Sequence, residues 1–231
     1  MVAGRPLSRA EFAGRIDVSR ETLARLTRHL ELLVRWQPAI NLVGAASLAD
    51  PWRRHVLDSA QLLAHLPSPV ASLVDLGSGA GFPGLVLAIL GVPNVTLIES
   101  DRRKAQFLRE VARTTGTAVT IHAERAERLP ASPAAVVTAR ALAPLPRLLP
   151  LAARFLAADG VCLLLKGAAV NDELTAAAKS WHMVPEMFPS LSAPAGTVLK
   201  LRGIARACDR QPQSAAARPG DRDREPERRR R

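Results

Sequence analysis

Tyrosine is absent, and the other aromatic residues are few: five Phe and three Trp, 3% of 231 residues. So few rings make a poor platform for stacking bases. Trp36, Trp52 and Trp181 therefore read as partly buried packing groups. Lysine is nearly missing too, since Lys104, Lys166, Lys179 and Lys200 are the whole set. Cysteine is limited to Cys162 and Cys208, which excludes a disulfide framework. Neither has a second Cys or His at metal-ligand spacing, so no metal is expected. Cys162 lies in an apolar run, Val161 to Leu165, and reads as an inert core thiol. No apolar run reaches the roughly 18 residues that span a bilayer. The opening Met1 to Pro6 lacks the apolar stretch of a secretory signal. The expectation is a cytoplasmic protein with no membrane partner.

Apolar residues make up 48% of the chain, enough for a real core. The length suits one domain with short appendages. Net charge is +11, which points to a polyanionic partner. Residues 202–231 hold ten Arg against five acidic residues, so they supply +5 and the body +6. The body is basic without its end.

The apolar pattern divides the chain. Leu23, Leu26, Leu30, Leu33 and Val34 recur at helical spacing after Ser19, a suitable N-cap, and this helix should end before Pro38. A second helix is expected from Asp50 to His65, with Pro51 in its first turn. Residues 1–67 thus form an N-terminal helical extension. Strands are then expected at Val70–Leu76, Val95–Glu99, Ala118–His122, Ala135–Thr138, Val161–Lys166, Met183–Met187 and Val198–Leu201. Helices are expected at Phe82–Leu90, Arg102–Thr115, Leu145–Ala158 and Asp172–Trp181. Such alternation predicts an α/β domain over 68–204, its mostly parallel sheet covered on both faces. From 205 to 231 the periodicity stops, and an Arg-rich disordered tail is expected.

The most informative stretch runs Asp75-Leu76-Gly77-Ser78-Gly79-Ala80-Gly81-Phe82-Pro83-Gly84. It follows a strand and opens a helix, where glycines permit a tight turn and let the backbone approach a ligand. Glu99 ends the next strand, where a carboxylate can accept hydrogen bonds from both ribose hydroxyls. Gly79-x-Gly81-x-x-Gly84 also matches a dinucleotide fingerprint. Asp75 favours S-adenosylmethionine instead, whose ammonium group an acid near the loop helps to hold, directly or through water. Cofactor residues on this reading are Asp75, Gly79, Gly81 and Glu99. Phe82 has two candidate tasks, core packing or a wall beside the methionine moiety.

With Asn41-Leu42, Arg54-His55-x-x-Asp58-Ser59, Ala126-Glu127, Ala139-Arg140-Ala141 and Leu165-Lys166-Gly167, the chain resembles the glucose-inhibited division protein B family. These are bacterial small-subunit ribosomal RNA guanine-N7 methyltransferases, and the resemblance covers about residues 20 to 203. It implies a Rossmann-like class I methyltransferase fold with a seven-stranded sheet. It implies S-adenosylmethionine contacts at Gly77, Phe82, Ala126, Glu127 and Arg140. It also implies action on the decoding-region loop of 16S ribosomal RNA, with the RNA or the 30S particle as partner. Thr138 then stands before Ala139 where the family has a serine.

Arg140 and Lys166 follow buried strands at the edge where α/β sheets place ligands, and they are the candidates for contact with the target base. His55 and Asp58 share a helical face and either meet the substrate or orient each other. Guanine N7 has a lone pair and no proton to lose, so the lack of a general-base dyad is consistent with its methylation. Cytosine C5 methylation needs a nucleophilic cysteine, and neither cysteine qualifies. An amine-methylating Asn/Asp-Pro-Pro-aromatic stretch is also missing. The alternatives are a non-catalytic RNA-binding or ribosome-assembly factor on the same fold, and a dinucleotide-dependent oxidoreductase.

Overall fold

A computed structural model describes residues 5–207. The expected disordered tail falls mostly outside that range, as does Cys208. Seven strands form one sheet in the order β3-β2-β1-β4-β5-β7-β6. They are β1 Leu73–Leu76, β2 Val95–Ile98, β3 Thr120–His122, β4 Ala134–Arg140, β5 Leu156–Lys166, β6 Trp181–Pro189 and β7 Thr197–Arg206. Strands β1 to β5 pair in parallel, and β7 runs antiparallel to both its neighbours. This is the Rossmann-like class I methyltransferase architecture.

Each face of the sheet has its own core. One gathers Leu73, Leu85, Leu97 and Phe107 with the N-terminal residues Leu26, Leu33 and Val56. The other gathers Val74, Leu76, Val137, Leu148 and Leu164. Leu73 and Leu76 lie in different clusters, as the two-residue period of a strand requires. Helices α4 Gly84–Ile89 and α5 Arg102–Thr115 cover the first face; α6 Leu145–Phe155 and α7 Val170–Ala178 cover the second. Asp101 caps α5 by accepting from the Arg103 and Lys104 amides, and Gly116, at φ +62°, closes it.

The N-terminal extension departs from expectation in three ways. A short helix, α1 Arg9–Ala13, precedes the others, held by a reciprocal cap between Ser8 and Glu11. Helix α2, Arg20–Ile40, passes through Pro38 instead of stopping before it. Its end is tied by Gln37, whose side-chain oxygen accepts from the Leu42 and Val43 amides while its nitrogen donates to the Val43 carbonyl. The expected helix from Asp50 to His65 is a wider turn over Trp52–Leu57, one α-helical turn, α3 Asp58–Ala60, and a tighter turn over Gln61–His65.

Later boundaries also move: α7 ends at Ala178, and Trp181, expected in that helix, begins β6. Helix α6 stops at Phe155 and β5 starts at Leu156, because β5 carries an irregularity: Ala134 pairs with Leu156 but Val136 with Val161. Gly160 lies inside that strand rather than ending a helix. Strand β7 reaches Arg206, beyond the expected boundary after 204, with Arg206 opposite Trp181 and Ala205 opposite His182. Among the described residues no helix is long and apolar enough to cross a membrane, and no group of three or more metal-ligating side chains occurs.

Candidate active site

Strand order reverses between β1 and β4, which pair in register with Leu76 beside Ala139. An open sheet has its ligand crevice at such a point. Gly77 leaves β1 here and Arg140 ends β4, so the loop and the arginine occupy neighbouring positions on one edge.

The loop is built from beneath by Asp75, which is fully buried. One carboxylate oxygen accepts from the Thr138 hydroxyl at 2.7 Å and the other from the Gly84 amide at 3.2 Å. Burial pushes this carboxyl up to about 6. Of the two routes open to Asp75, direct contact with a ligand ammonium does not fit its enclosure. Gly84 is confined by the same contact: a Cβ there would stand 2.5 Å from the Asp75 Cβ. Gly77, Gly79 and Gly81 have φ of +67°, +55° and +87°, the left-handed region that glycine enters freely. At Gly79 a Cβ would meet only one atom, 3.8 Å away, so the loop's backbone is open on that side.

Glu99 is almost fully buried and holds the loop from β2, accepting from the Gly79 amide at 2.8 Å and the Asp101 amide at 2.7 Å. Each carboxylate oxygen keeps a further lone pair for a hydroxyl donor. Beyond it, Ser100, Asp101, Arg102, Ala123, Arg125 and Arg128 line a cleft of about 310 Å³ between the ends of β2 and β3. Ala126 and Glu127 lie in the turn after that cleft's β3 wall. The Glu127 side chain is exposed, and its carbonyl is held by Arg154 at 2.8 Å.

Arg140 is the hub on the other side. Its Nη1 donates to the Arg54 carbonyl at 3.1 Å, His55 Nδ1 at 3.2 Å and Asp58 Oδ2 at 3.3 Å. Its guanidinium lies 5.0 Å from the Phe82 ring centroid. Burial works against the guanidinium charge and Asp58 offsets that effect. Arginine only donates, so His55 Nδ1 accepts and the imidazole proton sits on Nε2, directed at Ser47 Oγ 2.9 Å away. Burial, joined by the Arg140 and Arg54 charges, holds His55 down to about 3. Thus His55 and Asp58 both meet Arg140, and the imidazole is neutral.

The Phe82 ring packs between His29 at 4.8 Å and His55 at 4.7 Å, with the Arg140 guanidinium over it, so the packing task expected of it is met. His29 is fully buried, and its Nε2 meets the Ala80 carbonyl at 2.8 Å. Burial pushes His29 down to about 4. The sequence reading passed over His29. Its signal was a polar side chain on the apolar stripe of Leu26, Leu30 and Leu33.

Lys166 stands apart from this cluster. Its Nζ donates to Glu173 at 2.7 Å and to the Ala143 carbonyl at 3.0 Å, and Glu173 also receives the Leu145 amide. As placed, it fastens the connection from β4 into α6. That connection turns at Ala141, φ +51°, and folds Leu142 over the loop, where a Cβ on Gly77 would meet it at 2.6 Å. Cys162 is fully buried in β5 and its thiol is pushed up to about 12, so it offers no nucleophile for attack on a base. Trp36 packs against Phe107 and Trp52 against Phe12, as packing groups should.

Comparison with known proteins follows the same lines. A solved TehB-like S-adenosylmethionine-dependent methyltransferase from Corynebacterium glutamicum superposes with a TM-score of 0.53 at 17% identity, over 77% of this chain and 99% of that one. At that identity the likeness is one of fold. Ribosomal RNA small subunit methyltransferase G of Rhodospirillum centenum is 60% identical over 84% of this chain and 90% of its own length. The protein of the same name from Rhodospirillum rubrum is 57% identical over 85% and 98%. The model of the family described as rRNA small subunit methyltransferase G matches residues 22–198. The chain belongs to the rRNA small subunit methyltransferase G (GidB) family.

Proposed function

We propose that the protein methylates N7 of a guanine in the decoding-region loop of 16S ribosomal RNA, using S-adenosylmethionine, in the cytoplasm where ribosomal subunits are made. Family membership supports the methyltransferase activity and the ribosomal RNA target, and it leaves no place for the dinucleotide reading.

The observation that carries the chemistry is the state of Arg140. Nη1 is committed to the protein, but Nε and Nη2 make no hydrogen bond among the described residues, beside the glycine loop at the point where strand order reverses. Three N–H donors in a fixed plane are thereby left for a ligand.

The residues present fit the cofactor. Glu99 is placed for ribose hydroxyls, the backbone at Gly79 is open, and the cleft between β2 and β3 has room for the base, with Ala126 and Glu127 at its margin. When bound, S-adenosylmethionine supplies an electrophilic methyl group on a sulfonium. Asp75 serves by holding the shape of the loop, and Phe82 by walling its inner side. Gly77 and Leu142 border the space where donor and acceptor would meet. Arg140 orients the target guanine through O6, leaving the N7 lone pair free. Alignment of this kind can supply roughly 7–11 kcal/mol of a barrier without a general base. The base must be unpaired or extruded to enter.

The test is incubation of the protein with labelled S-adenosylmethionine and 30S particles lacking the modification, followed by mass spectrometry of digested RNA. Label in N7-methylguanine is expected. Label on adenine, cytosine or a ribose hydroxyl, with none on guanine N7, rules the proposal out.

A further inference from the structure

The loop joining β6 to β7, residues 190–196, lies far along the chain from the helical extension, yet the two are joined by a partly buried set of polar contacts. Leu191 donates its amide to Gln61 Oε1 at 2.7 Å. Gln61 Nε2 lies 3.2 Å from Ser190 Oγ and donates to Asp58 Oδ1 at 3.0 Å. The Ser192 hydroxyl donates to that same Asp58 oxygen. Gln61 and Ser192 are both buried. The loop is itself shaped by a bond from the Ser190 amide to the Gly196 carbonyl, and a Cβ on Gly196 would stand 2.8 Å from Ser190.

Asp58 therefore divides its two oxygens. Oδ1 takes the two donors from Gln61 and Ser192, while Oδ2 is left for Arg140. A carboxylate is planar, so fixing one oxygen fixes the direction of the other. Without these donors the group is free to rotate about its side chain, and Arg140 loses a fixed partner.

We infer that Ser192 and Gln61 are positioning residues for Arg140, acting through Asp58, and that the β6–β7 loop is thereby a working part of the methyl-transfer site. This rests on the role given to Arg140 above. It explains why Ser192, in an otherwise open loop at the far edge of the sheet, is buried against the extension. Held by Asp58, Arg140 keeps Nη1 inward and turns Nε and Nη2 toward the ligand.

The experiment compares Ser192→Ala, Ser192→Thr and Gln61→Glu with the unaltered chain. The readouts are single-turnover methylation of 30S particles, KM for the particles, thermal melting, and the ¹⁵N signal of the Arg140 Nε–H. Ser192→Ala is expected to lower kcat by about tenfold, the scale of one hydrogen bond to a charged group, with KM changed by less than about twofold. Its Arg140 signal should shift and broaden while the melting temperature holds. Ser192→Thr keeps the hydroxyl and should restore both rate and signal. Gln61→Glu places a second carboxylate against Asp58 and should disturb the same signal, so the inference stays open to test should Ser192→Ala fail to fold. An unchanged rate and an unchanged Arg140 signal in folded Ser192→Ala overturn it, as does an equal loss in the alanine and threonine variants. An unaltered protein that methylates no RNA would refute the function instead, while the Arg140 signal still decides whether the clamp exists.

Discussion

Thr138 and Asp75 face each other across the paired strands β4 and β1, and the threonine hydroxyl donates to the aspartate carboxylate at 2.7 Å. This contact ties the strand that carries Arg140 to the strand that launches the glycine loop. It also keeps a carboxylate in the dry centre of the molecule, with its titration raised to about 6. On the same side of the sheet two histidines are held neutral, His29 at about 4 and His55 at about 3. These opposing displacements set the response of the fold to acid.

Stability should fall as pH drops from 7 to 5. Asp75 acts in the other direction: with its folded value raised, it takes up a proton more readily when folded, so it strengthens the fold as pH falls through about 6. The histidines titrate near 6.5 when unfolded but resist protonation when folded, so their contribution is present above 6.5 and is lost as pH falls toward 4 and 3. Two groups outweigh one, and the net loss between pH 7 and 5 comes to about 2 kcal/mol. Urea melts at the two pH values measure it. His29→Gln should reduce the acid loss, and a fold that strengthens on acidification would contradict the assignment.

Gly79 and Gly84 should separate binding from folding. A Cβ at Gly84 would press on Asp75 at 2.5 Å and on Leu97 at 2.6 Å, so Gly84→Ala should lower the melting temperature, at a cost of about 1–3 kcal/mol. Gly79 opens to space, and its main restriction is a φ of +55°. Gly79→Val should keep the fold, with local strain, and lose S-adenosylmethionine binding by calorimetry. Unchanged affinity in a folded Gly79→Val protein would remove this loop from the cofactor site.

Much of this site was legible because its signals are local in sequence. The loop, Glu99 and Arg140 each sit at a strand end, and strand ends show in the change from apolar run to glycine or charge. His55 and Asp58 were seen as neighbours three residues apart, but not as partners of Arg140, which is more than eighty residues away. Gln61 and Ser192 gave no signal, since a contact across about 130 residues leaves no local pattern. The passage of α2 through Pro38 was hidden for a different reason. A side-chain cap from Gln37 ties the chain just beyond the proline, and propensity alone does not register it. Strand β7 outran its expected end because Ala205, a poor strand former, and Arg206 are held by pairing with β6 beyond a register shift that spans Gly203.

That pairing makes truncation informative. Ending the chain after Gly203 removes the residues opposite Trp181 and His182, and with them the Arg206 guanidinium 5.2 Å from the Trp181 ring centroid. Melting temperature should fall by several degrees relative to a chain ended after Ala207, which keeps the paired backbone. Equal melting of the two by circular dichroism would show that the last part of β7 contributes nothing.

The rate of methylation should be flat with pH above neutrality. Guanine N7 attacks through a lone pair that carries no proton, so the reaction has nothing for a base to remove. The site agrees with this requirement. His55 already accepts a hydrogen bond from Arg140 on Nδ1 and directs its own proton at Ser47, which leaves neither nitrogen for proton transfer. His29 is sealed under Phe82 with Nε2 on the Ala80 carbonyl. Cys162, at about 12, stays a buried thiol. The displaced carboxyl and imidazole groups at the site change charge below neutrality: Asp75 near 6, His29 near 4 and His55 near 3. Single-turnover rates on 30S particles should vary by less than about twofold between pH 7 and 8.5, then decline below 6 as Asp75 takes up its proton and the loop loses its ionised anchor. A rate that climbs about tenfold per pH unit would mean that a base removes a proton from the acceptor. The target would then be an exocyclic amine or a ribose hydroxyl, and the assignment to guanine N7 would be wrong.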